Sequence, residues 1–568
     1  MSIAEKLADV ISATGLSEQE FWELVSADHY AELVAQNRDH LLVFVKEQVD
    51  FGQLEAECGI YRQYAGERGQ KATHTIGQLC RALLVKTLNG WSYVKTEQEI
   101  RSNELVRWFV GYSLKAQTMD QMTVWRFAEW MKKHQPRRYF DEVLRQIDAA
   151  FPEETKREQI GDTFALVSRA KEMSRTELLR QGAQKLLANL GQVNPTAKAE
   201  VLAGDDGVGL FGTVNEKPEW FLEKAERDAL ELRTARAAHD LLWRVDGLVS
   251  QLPESRELVV EGLRQAVSTL RKIVNDEFAI TTDNAGKAVT VTHPTKPRKG
   301  LYRHGSTVDL DATFRIHGDS MHLGYNINVA ATTNFIREIN AVTGATPDSR
   351  GVAALIANQH EHLGVVPPKL IYDKAAGAPK IFAQVAAASN QQTQLVARLV
   401  DYAKNRETFG PLDFTLDAGI QLTCPAGQVS RDRTYSNSAE GWNFRFTAAQ
   451  CADCPLFAHC RGPKGKVGTR RQVFINDHRY FQLDALAYTK TAAFEVDMKT
   501  RSNIERIIAG VTRYNDARHA RGYGVDNADF QVKMAATAYN LKRWHKIVLD
   551  REKAQRYQPS TPIDWDDG

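Results

Sequence analysis

Three acidic residues stand where a carboxylate needs a partner. Asp162 sits inside the strand-like stretch Ile160-Gly161-Asp162-Thr163-Phe164, and Asp373 ends the short apolar run Leu370-Ile371-Tyr372. Glu505 lies on a helical segment, Arg501-Ser502-Asn503-Ile504-Glu505-Arg506. A strand disfavours aspartate, and an ionised carboxylate near a core is costly unless it is paired or bound to a cation. Two strand-borne aspartates and a helix-borne glutamate, all hard oxygen donors, suit a pair of Mg2+ or Mn2+ ions. Two such ions in one site can activate an attacking oxygen and stabilise a leaving one at a phosphodiester. Asp309 and Asp311, early in a strand, are weaker candidates for metal, with cross-hairpin pairing as the alternative. Asp348, in Thr346-Pro347-Asp348-Ser349, reads as a helix N-cap.

Those residues need elements to position them. Residues 1–150 read as a helical module, with apolar positions at i, i+3, i+4 spacing in Leu41–Val45 and Gln78–Leu88, and cap residues around Thr118–Thr123 ahead of a helix through Trp130. A strand is expected over 160–167, then a helical insertion over 170–278. Strands resume at 288–292, 306–316 and 321–331, the last two joined by the turn His317-Gly318-Asp319-Ser320, and then at 335–342. Helices over 349–363 and 379–388 alternate with strands at 370–372 and 394–399. Hairpins followed by alternating strands and helices indicate an α/β sheet with antiparallel and parallel parts, which suits a ribonuclease-H-like catalytic core built from 155–402 and 483–549. Residues 403–482 read as an irregular cysteine-rich insertion, 483–517 and 529–549 as helices, and 550–568 as a flexible tail.

Four of the six cysteines cluster as Cys424, Cys451, Cys454 and Cys460. The Cys451/Cys454 spacing is that of a zinc knuckle, and four thiolates make a closed structural Zn2+ site. Free thiols, a disulfide, or His459 as fourth ligand are the alternatives. Cys58 and Cys80 read as buried small apolar residues.

The formal net charge of +2 conceals a basic C-terminal region: Arg461 to Lys546 holds 17 Lys/Arg against 8 Asp/Glu. That excess is compatible with a polyanion such as double-stranded DNA. In the N-terminal module, Arg126, Arg137 and Arg138 accompany Trp125 and Trp130 on a basic, aromatic helix and its flank, a candidate surface for reading DNA ends; both tryptophans are read as core. No apolar run approaches the length of a membrane span, and the N-terminus is not a secretory signal, so no membrane partner and a cytoplasmic location are expected.

With these segments in view, the chain resembles the DDE transposases of bacterial insertion sequences, most closely the subgroup with a cysteine cluster before the catalytic glutamate. The matching segments are Gly161-Asp162-Thr163, Asp309-Leu310-Asp311-Ala312, His322–Asn326, Val342 through Asp348, Tyr372-Asp373-Lys374, Arg501 to Glu505, and Ala538 to Trp544. The resemblance implies that Asp162, Asp373 and Glu505 are the catalytic, metal-binding triad, that Arg501 holds a phosphate, and that Arg513, Lys542 and Arg543 also contact DNA. Where related families carry a lysine seven residues after the glutamate, this chain has Thr512. The implied activity is binding of terminal inverted repeats, cleavage and strand transfer, by a homodimer on DNA in the bacterial nucleoid. A nuclease of the same fold without strand transfer, and a domesticated DNA-binding protein without catalysis, are the alternatives.

Overall fold

Capping chemistry sets the N-terminal helices. Ser17 and Thr75 each close a reciprocal box with the glutamate or glutamine three residues on, starting the helices Glu18–Gln36 and Ile76–Asn89. Asp120 caps Gln121–His134, accepting the Thr123 amide at 2.6 Å. In this computed structural model the described residues are 3–62, 73–203, 208–212, 218–249, 258–296, 298–399, 408–417, 420–462, 465–466 and 469–556. The expected tail therefore falls largely outside the described residues, and its first part, to Arg556, instead continues the last helix, Val525–Arg556.

That last helix joins two cores. Its Met534, Ala538, Leu541 and Trp544 pack with Leu79, Leu83, Phe109 and Phe127 of the N-terminal helices. Its Ala528, Val532, Ala535 and Ala536 pack under the central sheet. One helix thus presents apolar side chains in two directions, as a helix buried on both sides must.

Strand β1 (Gln159–Val167) is the sheet's middle. The chain then leaves the sheet for the helices Arg175–Val193, Pro195–Ala203, Lys224–Val249 and Leu258–Glu277, which build their own core around Leu179, Leu186, Leu241, Leu263 and Leu270. Strand β3 (Ala288–Thr292) was expected to resume the main sheet; β2 (Ala279–Thr282), which precedes it, was not anticipated. They form a separate two-stranded hairpin instead, turning at Gly286 (φ 87°) and lying against the Lys224–Val249 helix through buried Ala288.

The sheet resumes with β4 (Thr313–His317), β5 (Ser320–Ala331), β6 (Ile336–Thr343), β7 (Lys369–Ile371) and β8 (Gln394–Val396). The strand order is β4-β5-β1-β7-β8, with β6 also on β5. The pairs β4-β5, β5-β6 and β5-β1 are antiparallel, whereas β1-β7 and β7-β8 are parallel. The twelve-residue β5 shares its outer edge between β4 and β6.

The strand expected from Ser306 begins only at Thr313. The intervening acids are otherwise engaged. Asp309, 1 % exposed, accepts hydrogen bonds from Ser168 Oγ, from Tyr325 Oη at 2.6 Å and from the Gly524 amide at 3.0 Å. Asp311 accepts from the Val525 amide at 2.9 Å. Together they hold the N-terminus of the last helix, where amides lack helical partners and negative charge is favoured.

The cysteine-rich stretch is more regular than expected. It holds β9 (Thr415–Asp417), β10 (Gln421–Thr423), β11 (Val429–Ser430), β12 (Arg433–Ser436), β13 (Gly441–Phe446) and β14 (Arg471–Asn476) in two three-stranded sheets. Phe414, Leu422, Phe444, Phe446, Val473 and Ile475 form a core between them. Helices Arg479–Tyr488, Ala492–Arg501 and Asn503–Tyr514 then return the chain to the main sheet, where Ile504, Ile507 and Val511 pack in the core that contains Ile160 and Ile371.

Candidate active site and nucleic-acid interface

Side chains alternate across a strand. Ile160, Asp162, Phe164 and Leu166 therefore share one face of β1, and all three apolar members lie in the core beneath the Asn503–Tyr514 helix. Ile371, opposite Ile160 in the β1-β7 register, belongs to that same core, so Asp373, two residues on, is set toward the same side. Asp162 and Asp373 meet there electrostatically. Burial raises the Asp162 carboxyl above its ordinary value, and Asp373 and then Asp348 push the same way, against the Thr163 amide and Arg501.

Each carboxylate is also fixed locally. Asp162 Oδ1 accepts from the Thr163 amide at 2.8 Å, and Oδ2 from Arg501 Nη1 at 3.2 Å. Asp373 Oδ1 accepts from the Ala375 amide at 2.9 Å and caps the turn Lys374–Ala376. Gly161 faces the other side of the strand, toward Tyr372. A Cβ there would stand 2.7 Å from the Tyr372 ring, so only glycine lets that ring lie on β1. The Tyr372 hydroxyl is buried without a hydrogen-bond partner among the described residues, and Asp162, Asp348 and Asp373 surround it with negative charge that, after burial itself, raises its pKa.

Glu505 is placed differently. It lies in the first turn of Asn503–Tyr514, a helix packed on β1, but it is exposed. Among the described residues, Asp162, Asp373 and Glu505 do not bring ligand atoms within 4.8 Å of one another. Besides Asp373, the acid that acts on Asp162 is Asp348. The N-cap of Asp348–Leu363 is Pro347 rather than Asp348, and the Asp348 carboxylate accepts from Asn326 Nδ2 at 2.7 Å. It also lies 3.6 Å from Arg315, whose Nη2 donates to Thr163 Oγ1 at 2.9 Å. The sequence reading assigned neither Arg315 nor Tyr372 to the site; only the run Tyr372-Asp373 hinted at the second.

The basic residues divide into two sets. Arg126 and Arg513 are exposed, and Trp125, expected in the core, is 41 % exposed beside Arg126, whereas Trp130 is buried. Arg137 and Arg138, expected to face DNA, turn inward instead. Arg137 ion-pairs with Glu338 at 2.8 Å and Asp141 at 3.1 Å, with Glu338 fully buried. Arg138 pairs with Glu57 and Glu142, with its side chain 11 % exposed. Buried Glu338 on a neighbouring strand claims Arg137, and Glu142 one turn along the same helix, also buried, claims Arg138, because no such charge could be left there alone. Lys542 and Arg543 are likewise engaged within the chain, at Asn515 Oδ1 (2.7 Å) and Asn334 Oδ1 (2.7 Å). Arg501 holds Asp162.

The four clustered cysteines share one neighbourhood. Burial raises the Cys451 thiol, and Cys454 and Cys424 add to it. Burial likewise raises Cys460, which also feels Cys451 and Cys454. Their sulfurs do not close to within 4.8 Å as a group of three. The donor chemistry fits Zn2+, which would reverse those shifts by ionising the thiols. Phe444 is fully buried in the insertion's core, and Trp442 is half-buried under Arg433, whose guanidinium lies 4.2 Å from its ring centroid.

Among the described residues no helix is long and apolar enough to cross a membrane. Two family models match the chain. One, a transposase domain (DUF772), covers residues 31–130, the N-terminal helices from Glu18–Gln36 through Gln121–His134. The other, a transposase DDE domain, covers residues 423–545, from β10 and the cysteine cluster through Glu505 to the last helix. No curated protein and no solved structure matches the chain.

Proposed function

From a DDE transposase of the insertion-sequence type, which the two domain matches support, we propose that this chain binds the ends of its own element and recombines them. It hydrolyses a phosphodiester at each end and joins the freed 3′-hydroxyl to target DNA. The observation that carries this reading is the pair Asp162 and Asp373, set on one sheet face against the helix of Glu505, with burial and mutual repulsion raising the Asp162 carboxyl. Two acids so arranged are relieved by cations. The sheet, in which β4, β5, β6 and β1 pair antiparallel and β7 and β8 extend β1 in parallel, supports a ribonuclease-H-like core interrupted by the helical and cysteine-rich insertions.

Asp162, Asp373 and Glu505 would hold Mg2+ or Mn2+, and the ions would supply an activated nucleophile and a stabilised leaving oxygen. The chain's own groups do the positioning. The Thr163 and Ala375 amides orient the two aspartates. Arg501 neutralises Asp162 before DNA arrives and is placed to take a phosphate oxygen afterwards. In hydrolysis, water adds to phosphorus and the 3′-oxygen leaves with a proton; in transfer, that hydroxyl is the nucleophile and a target 3′-oxygen leaves. Glu505 joins the aspartates when DNA is bound, by movement of an exposed side chain on a helix already packed on β1.

Arg126, Trp125 and Arg513, all exposed, are the proposed DNA contacts. Zn2+ on Cys424, Cys451, Cys454 and Cys460 would fasten the insertion, whose own core is small. Pairing two ends calls for a homodimer on DNA, working in the cytoplasm at the nucleoid. The test is incubation of the purified chain with its element ends and Mg2+. Joined products support the proposal; cut but unjoined ends indicate a nuclease, and binding without cutting a non-catalytic DNA-binding protein.

A further inference from the structure

A second constellation lies in the helical insertion, away from the catalytic acids. Asp228 and Glu231 stand three residues apart on the Lys224–Val249 helix, so they share a face. His293 follows β3, whose hairpin packs on that helix. One ligand atom from each of the three comes within 4.8 Å of the other two, the one such group of His, Cys, Asp or Glu among the described residues.

We propose that Asp228, Glu231 and His293 bind one first-row divalent transition-metal ion, of which Zn2+ and Co2+ are representatives. An independent observation points to a ligand: both ring nitrogens of His293 are buried, and neither has a hydrogen-bond partner among the described residues. Buried polar atoms are almost always partnered. Glu231 Oε1 is 3.8 Å from His293 Nδ1, too long for a hydrogen bond. An imidazole in the set selects transition metals over Mg2+ and Ca2+, which take oxygen.

The surroundings are compatible with a cation. The Glu231 side chain is 14 % exposed and its carboxyl is raised, first by burial. The competing cation is Arg175, whose Nη1 lies 3.4 Å from Glu231 Oε1. Its Nε is held more closely by Glu277, at 2.7 Å, so Glu277 retains Arg175 when a metal takes Glu231. Exposed Asp228 gives the ion its way in from solvent. Three protein ligands leave a position for water. The ion would bind the helix to the end of the hairpin, beyond the strand and turn carbonyls that Arg236, His239 and Trp243 of the same helix already hold.

This site does not depend on the transposase reading, and its test separates it from the other metal positions. The full-length chain is stripped with chelator and titrated with Co2+ in excess Mg2+, which occupies hard-oxygen sites. Thiolate-bound Co2+ has an intense charge-transfer band; a carboxylate-imidazole site lacks it. Asp228→Asn and His293→Ala should each bind one Co2+ fewer than wild type, or bind it at least tenfold more weakly, with the thiolate band unchanged and circular dichroism intact. Equal stoichiometry and affinity in wild type and both variants overturns the site. A loss confined to His293→Ala overturns it too, since an exposed ligand would then be dispensable.

Discussion

Arg501 Nη1 lies 3.2 Å from Asp162 Oδ2, an ion pair that closes 339 residues of chain. The pair sets the resting state of the proposed active site: one aspartate is neutralised by an arginine, and the other, Asp373, accepts a hydrogen bond from a backbone amide. In the proposed mechanism a metal competes with Arg501 for Asp162, and DNA phosphate then gives Arg501 a new partner.

Arg501→Ala should therefore separate binding from turnover. Losing the competing guanidinium lowers the Mg2+ or Mn2+ concentration needed for half-saturation. Losing a charge-assisted phosphate contact of about 1.5–3 kcal/mol slows cutting at saturating metal by roughly ten- to a hundredfold. Both are read from cleavage rates across a metal titration. Weaker metal binding with unchanged saturated rate would show that Arg501 supports Asp162 and does not grip DNA.

The raised Asp162 carboxyl makes a stability prediction. Its folded pKa exceeds its unfolded one, so the folded state holds the extra proton between the two values. Stability therefore falls as pH rises from the ordinary aspartate value through the raised one, and the penalty is fully present above the raised value. Asp162→Asn should melt no lower than wild type in chelator at pH 7. Wild type should gain Tm with Mg2+, and the variant should gain much less. A variant that melts several degrees lower in chelator contradicts this reading.

Arg137→Ala should unfold the chain more readily by about 3–5 kcal/mol, since it leaves Glu338 and Asp141 as uncompensated buried charges. Denaturant melts measure this. Element-end DNA affinity of the folded fraction should be unchanged; a drop matching that of Arg126→Ala would place Arg137 at the DNA.

Asp309→Ala removes an acceptor from Ser168, Tyr325 and Gly524 at once. The expected loss is roughly 1–3 kcal/mol, with faster hydrogen exchange at the start of Val525–Arg556. Exchange unchanged at that helix while stability falls would show that Asp309 acts only on the sheet.

Much of the sheet could be read from the chain because its signals are local. The turn His317–Ser320, the alternation along β5 and the proline opening Pro379–Ala388 act through near neighbours. Asp162 and Asp373 stood out because a carboxylate in an apolar strand calls for an explanation. What escaped detection depends on distant partners. Thr307-Val308-Asp309-Leu310-Asp311 alternates like a strand, yet its acids are claimed by amides 214 and 215 residues later. Arg137 looks like any basic residue flanking a helix until Glu338, on β6, is known to face it. The short strands β9 to β14 carry too few residues to show a period. Asp348 reads as a cap, and only the fold places it near the aspartate pair.

The central claim is that Glu505, exposed in this structure, completes a metal site with Asp162 and Asp373 when DNA binds. A crystal of the chain on its element ends with Mn2+, phased to show anomalous scattering, tests it directly. The account predicts manganese peaks ligated by the carboxylates of Asp162, Asp373 and Glu505. Manganese held by the two aspartates with Asp348 in place of Glu505, or absent from this face of the sheet, contradicts it.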